Sequence, residues 1–193
     1  MAPQLDLVAG ESQWPRGFAY RADFLEAAEE QELARRIAGL PFEPFAFHGF
    51  LGKRRIVSFG WQYVFDGSGL KRTKDIPAFL LPARARAAAL AGLPAEQMQH
   101  VLVTEYAPGA GIGWHKDRSV FGEVVGLSLL APARLRFRRR RGESWERLSL
   151  TAEPRSAYLL SGEARTEWEH SIPGVEALRY SITFRNFREG AAP

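Results

Sequence analysis

Between Gln99 and Phe187 the chain is a succession of short β-type runs separated by turns: "HVLVTEYA", "EVVGLSLL", "RLRFRRR", "WERLSLT", "SAYLLSG" and "LRYSITFRNF". Runs of this length, regularly spaced and rich in β-branched and aromatic residues, are what a barrel or jelly roll requires. Helical patterning is confined to the first hundred or so residues. "DFLEAAEEQELARRIAGL" offers Asp23 as N-cap, spaces Leu33 and Ile37 four apart, and stops at Gly39. "PARARAAALAGL" places Pro82 at a helix start and Gly92 at its end. Between these, "KRRIVSFGWQYVFDGSG" reads as an aromatic-rich strand or hairpin closed by Asp66 and Gly67. No repeat, low-complexity linker or second domain is evident. The expectation is one mainly β (α+β) domain over 1–193: a helical portion to about residue 98, packed on a β core over about 99–188.

Composition narrows the chemistry. The chain has no cysteine, which excludes disulfides, zinc ribbons, iron–sulfur sites and thiol nucleophiles, so any metal must be held by His, Asp or Glu. The N-terminal "MAPQLDLVAGESQWPRGF" lacks the pattern of a signal peptide, and no run approaches the roughly 18 apolar residues of a membrane span. The reading is a cytoplasmic monomer with no membrane association. The net charge of +4 is unevenly placed, because "RLRFRRRRGESWER" (Arg134 to Arg147) concentrates arginine in one stretch. Such a stretch suits an anionic partner such as nucleic acid, and equally suits a solvated hairpin tip.

"YAPGAGIGWHKD" is a turn-rich lead-in to His115 and Asp117. Side chains two apart share a face in extended chain and diverge in a helix, so an extended segment aims both at one point. His170 in "EWEHSIPG", just before the last run, is a third candidate ligand. Two histidines and one carboxylate with open positions form the facial triad of non-haem iron(II) oxygenases, although an isolated HxD more often only hydrogen-bonds backbone. His48 and His100 show no comparable neighbours in sequence. In the final run, Leu178, Tyr180, Ile182 and Phe184 face one way, and Arg179, Ser181, Thr183 and Arg185 the other. Two arginines about 20 Å apart along an inward face have side chains long enough to converge on an anion between them, such as a five-carbon dicarboxylate gripped at one end by a guanidinium with its other end near the metal; on an exposed edge they would need none.

HxD, a distant His and R-x5-R on an alternating strand together resemble the AlkB family of Fe(II)/2-oxoglutarate-dependent dioxygenases. The resemblance runs from about Arg54 to Phe187 and includes the Tyr-x-Pro-Gly lead-in. It implies a double-stranded β-helix (jelly-roll) core with the N-terminal helices packed on it, and Fe(II), 2-oxoglutarate and O2 as cofactor and co-substrates. It implies His115, Asp117 and His170 as iron ligands and Arg179 as partner of the distal 2-oxoglutarate carboxylate. Tyr106 would donate to the same co-substrate, Ser181 belongs with the co-substrate set, and Arg185 lies near the metal-side carboxylate and Asp117. Tyr106 is otherwise an ordinary core aromatic.

The implied activity is oxidative demethylation of N-alkylated bases in DNA or RNA, as in alkylation-damage repair. A base presented to such a site must be single-stranded or flipped out and held by stacking. Trp61 and Tyr63 of "FGWQY" fall where the family builds its nucleotide-binding lid, and Arg54, Arg55 and arginines 138 to 141 are candidate phosphate contacts. Five residues depart from the founding members: Arg118, Ser119 and Val120 stand where an acidic pair follows HxD, and Thr104 and Ser181 replace amide residues. These departures touch the target and leave the iron chemistry intact. The alternatives are an oxygenase of the same family acting on protein, lipid or modified tRNA, and a non-catalytic nucleic-acid-binding β domain.

Overall fold

A computed structural model describes residues 13–47, 50–64 and 69–191. The strands are β1 (Phe18–Arg21), β2 (Glu43–Phe47), β3 (Phe50–Phe59), β4 (Trp61–Val64), β5 (Gly69–Arg72), β6 (His100–Tyr106) and β7 (Ile112–His115). They continue with β8 (Phe121–Leu129), β9 (Ala133–Arg141), β10 (Ser144–Ala152), β11 (Ala157–Leu160), β12 (Glu169–Ile172) and β13 (Arg179–Phe187). Three helices accompany them: α1 (Ala27–Ile37), α2 (Leu81–Leu90) and the short α3 (Gly162–Thr166). Strands order as β1-β11-β8-β13-β6-β3-β2 in the larger sheet and β10-β9-β12-β7 in the smaller, with β4-β5 a separate pair. This is the expected jelly-roll core, and β13 sits at the centre of its larger sheet.

The helices lie on the outer face of the larger sheet. Leu33 and Ile37 of α1 and Ala83, Ala87 and Ala88 of α2 form one core with Val101, Val103, Leu127, Ile182 and Phe184. Arg86 ties the two helices together through Glu29 at 2.6 Å. Ile37 is fully enclosed, and each aliphatic side chain buried in this way contributes about 1.5–3 kcal/mol. A second core fills the space between the sheets, where Val124, Leu135, Phe137, Trp168 and Ile172 meet.

Several local expectations need correction. Asp23 does not cap α1; it sits at φ +48 and pairs with Arg155, while Glu26 is the N-cap and its amide donates to Glu29. The N-terminal portion is more than a helical layer, because β1, β2 and β3 extend the larger sheet, β3 lying antiparallel to β6. The Asp66–Gly67 turn and the Tyr63 side chain lie outside the described residues. Among the described residues no helix is long and apolar enough to cross a membrane.

Candidate metal and co-substrate site

Strands β7 and β12 carry the two histidines. They pair antiparallel with His170 opposite His115, and a bulge between that pair and Ile172–Ile112 re-aims the chain so that both Ile112 and His115 face inward. The loops flanking them are stitched by backbone: the Gly109 amide donates to the Val175 carbonyl at 2.7 Å, and the Val175 amide to the Ala110 carbonyl at 2.9 Å. At Gly111 a Cβ would stand 2.5 Å from the Ile172 carbonyl oxygen, so only glycine allows the two loops to approach this closely.

Nitrogen and oxygen donors of His115, Asp117 and His170 all lie within 4.8 Å of one another. The His115 ring is set by Nδ1, which donates to the Gly113 carbonyl at 2.9 Å and leaves Nε2 for a metal. Burial pushes the Asp117 carboxyl up, but Arg185, then His170 and His115, more than offset it and hold it well below the usual carboxylate range. Arg185 makes the main contact, with Nη2 at 2.7 Å and Nε at 2.8 Å from Oδ1. His170 is pushed down to about 3 by burial, with His115 adding and Asp117 opposing; His115 is lowered by burial against the same carboxylate. Both imidazoles are therefore neutral near pH 7, the form that ligates a metal.

The two arginines of β13 face the pocket side, as the alternation predicts. Arg179 is 0% exposed; its Nε donates to the Ser128 hydroxyl at 3.0 Å, its guanidinium lies 5.0 Å from the Tyr106 ring centre, and both Nη atoms are buried without a partner. A buried guanidinium with two unused donor groups calls for an anion. Tyr106, Ser181, Thr104 and Thr183 line the pocket between the two ends.

Of the residues assigned to substrate, Arg54 faces the pocket, its guanidinium 3.8 Å from the Phe45 ring centre and its pKa lowered by burial. Arg55, one position on, takes the opposite face and pairs with Glu105 at 2.7 Å. Trp61 does not line the pocket; it meets Phe187 edge-on at 5.9 Å, with Arg72 over its ring. In the arginine run, Arg138 pairs with Glu169, Arg139 with Glu146, Glu163 and Glu167, and Arg141 with Glu146, so none of these three is a free phosphate contact.

Three participants escaped the sequence reading. Phe45 and Tyr158 line the pocket, and His100 lies buried beneath Arg185, Nδ1 to Nη1 3.3 Å, against the expectation that it had no site neighbours. Burial pushes the Tyr158 phenol up to about 12, so it stays a donor, and its ring lies where a Cβ on Gly126 would be 2.3 Å away. No local pattern marks these positions, which only the sheet order brings together. His100 is kept neutral chiefly by burial and then by Arg185.

The sequence profile of the 2OG-Fe(II) oxygenase superfamily matches residues 17–185, nearly the whole described chain. The chain belongs to that superfamily. This AlkB-like oxygenase is 30% identical over 194 residues to the "Alkylated DNA repair protein ALKBH8 homolog" of Arabidopsis thaliana, covering 88% of this chain and 54% of the plant protein. It thus spans about half the length of that relative. It is also 30% identical over 189 residues to "Alpha-ketoglutarate-dependent dioxygenase alkB homolog 7, mitochondrial" of Bos taurus, covering 90% and 80% of the two chains. The solved structure of OsALKBH1 shares the fold, with TM-score 0.67 at 16% identity over 88% of this chain and 98% of that one. Superfamily membership implies Fe(II), 2-oxoglutarate and O2, and the site fits them: two neutral imidazoles and an ionised carboxylate as donors, with an unpartnered buried guanidinium at the other end.

Proposed function

We propose that the protein is an Fe(II)/2-oxoglutarate-dependent dioxygenase that removes alkyl groups oxidatively from bases of DNA or RNA, acting as a cytoplasmic monomer. The observation that carries the reading is the juxtaposition on one strand of Arg185, bound to the metal-site carboxylate, and Arg179, whose Nη atoms have no partner.

His115, Asp117 and His170 would hold the iron. Iron held there would supply the O2-dependent chemistry in which one oxygen atom goes to 2-oxoglutarate, giving succinate and CO2, and the other to a substrate C–H bond, an N-hydroxymethyl product then releasing formaldehyde and the free base. The chain's own residues do the positioning. Arg179 grips the distal carboxylate through its two Nη groups, and Tyr106 donates to the same co-substrate. Arg185 keeps Asp117 ionised and fixes its orientation, and the Gly113 carbonyl fixes His115. Ser181 and Thr104 flank the co-substrate path opposite one another. Arg54 with Phe45 forms a rim of one cation and one ring suited to a base and its phosphate.

The naming of the Arabidopsis relative supports a nucleic-acid target. One observation favours the second reading, an oxygenase of the same family acting on protein, lipid or modified tRNA: the arginine run does not rim the pocket. The deciding assay measures succinate and formaldehyde from iron-loaded protein, with and without single-stranded oligonucleotide carrying N-methylated bases. Stimulated succinate with formaldehyde is expected. Unstimulated succinate moves the target to the second reading, and no succinate from folded, iron-loaded protein overturns the oxygenase assignment.

A further inference from the structure

The arginine run divides by strand alternation into two sets with opposite fates. Arg139 and Arg141 take one face of β9 and are met by Glu146, Glu163 and Glu167. Arg134, Arg136, Arg138 and Arg140 take the other face, the side of the smaller sheet turned away from the pocket, and Arg147 of β10 joins them opposite Arg138. Of these five, only Arg138 has a carboxylate, Glu169. Arg134 and Arg136 donate to the hydroxyls of Ser149 and Ser171, Arg140 to the Gly142 carbonyl, and Arg147 has neither hydrogen bond nor ion pair among the described residues. Surfaces built only for solubility intersperse both signs; this one places serine or threonine where the carboxylates would be.

Two tryptophans are interleaved with the cations. Trp114 lies under Arg136 and Arg138, at 5.0 and 4.5 Å, and Trp145 under Arg138 and Arg140, at 4.3 and 5.5 Å. A guanidinium stacked on an indole can keep its remaining N–H groups for phosphate oxygens. Arginines two apart along an antiparallel strand repeat every ~7 Å, comparable to successive phosphates of an extended strand.

We propose that this outer face of the smaller sheet is a second binding surface, for single-stranded nucleic acid, distinct from the pocket. A flexible single strand can lie along β9, placing phosphates on the arginines and its unpaired bases against indole and guanidinium planes. The surface shares its partner class with the proposed reaction but does not depend on it, since binding requires neither iron nor 2-oxoglutarate. It supplies affinity and reach for a long substrate while the pocket handles one base.

The test is fluorescence anisotropy of a labelled oligothymidylate with full-length, metal-free protein across a salt series. The triple variant Arg134→Gln, Arg140→Gln, Arg147→Gln removes three exposed cations that hold no fold contact to a carboxylate. It is expected to bind at least tenfold more weakly, with the log–log salt slope shallower by ~2, as expected for three lost phosphate contacts on a single strand. The matching triple lysine variant should retain most of the affinity and slope. Iron-loaded triple variant should still convert 2-oxoglutarate to succinate at the wild-type basal rate. Unchanged affinity and slope in the glutamine triple, or equal competition by polyglutamate of matched charge, would overturn the proposal. A chain that binds oligonucleotide here but releases no formaldehyde would keep this surface and lose the demethylase reading.

Discussion

Arg185 and Arg179 sit on one strand, face one way and are similarly buried, yet one is electrically finished and the other is not. Arg185 has Asp117 on Nε and Nη2 and His100 beside Nη1, whereas Arg179 has one serine hydroxyl and two bare Nη groups. The metal end of the pocket is thus assembled by the protein alone, while the far end keeps two buried donors unused. A buried charge without a partner destabilises the chain that holds it, and a ligand supplying the partner recovers that loss on binding.

The most drastic way to break the contrast is at the metal end. His115→Ala and Asp117→Ala are each expected to abolish succinate formation and iron uptake, as read by turnover and by bound metal; turnover retained in either would remove the ligand assignment. Next in size, Arg185→Met strands Asp117 and should cost about 3–5 kcal/mol in chemical denaturation of the metal-free chain. Arg179→Met should shift the metal-free chain the other way, stabilising it by about 1–3 kcal/mol, because it removes unpaired buried donors. The same substitution should erase the rise in melting temperature that 2-oxoglutarate gives iron-loaded wild type. If both arginine variants destabilise equally, the two ends do not differ as described.

The smallest effect is a pH dependence at the metal end. His170 titrates at about 3 when folded and near 6.5 when unfolded, so the unfolded chain binds the extra proton first as pH falls. Stability of the metal-free protein should therefore drop from about pH 6.5 down to pH 3, by roughly 2 kcal/mol at pH 5 from this histidine. The depressed Asp117 contributes stability that is present above its unfolded pKa and is lost as pH falls from there toward its lower folded value. A flat profile in the metal-free protein would contradict the buried neutral imidazole.

The parts of the site legible in sequence are those whose geometry is local. HxD on extended chain and the alternation of "RYSITFR" each follow from the period of a strand, and the structure lines one pocket with His115, Asp117, Ser181, Thr183 and Arg185, Arg179 lying beside the pocket residue Tyr106. What stayed hidden depends on partners across strands. Arg55 is neutralised by Glu105 and Arg138 by Glu169 only because of the registers β3–β6 and β9–β12, which no local pattern specifies. Phe45 and Tyr158 enter the pocket from β2 and β11, at opposite ends of the larger sheet's order, and β7 and β12 are too short to show alternation. Helices α1 and α2 are legible because caps and apolar spacing are contiguous, although α1 is capped by Glu26 and not Asp23; the five-residue α3 is too short to show a period.

The backbone seam between the loops at Gly109–Gly111 and Ile172–Val175 ties the fates of two histidines far apart in the gene. Because amides and carbonyls hold it, most exchanges of nearby side chains leave it untouched, whereas one codon change at Gly111 displaces both imidazoles together. Inheritance therefore meets the two histidines as a single locus, whereas Thr104, Ser181 and Phe45 hang on other strands and answer to separate changes.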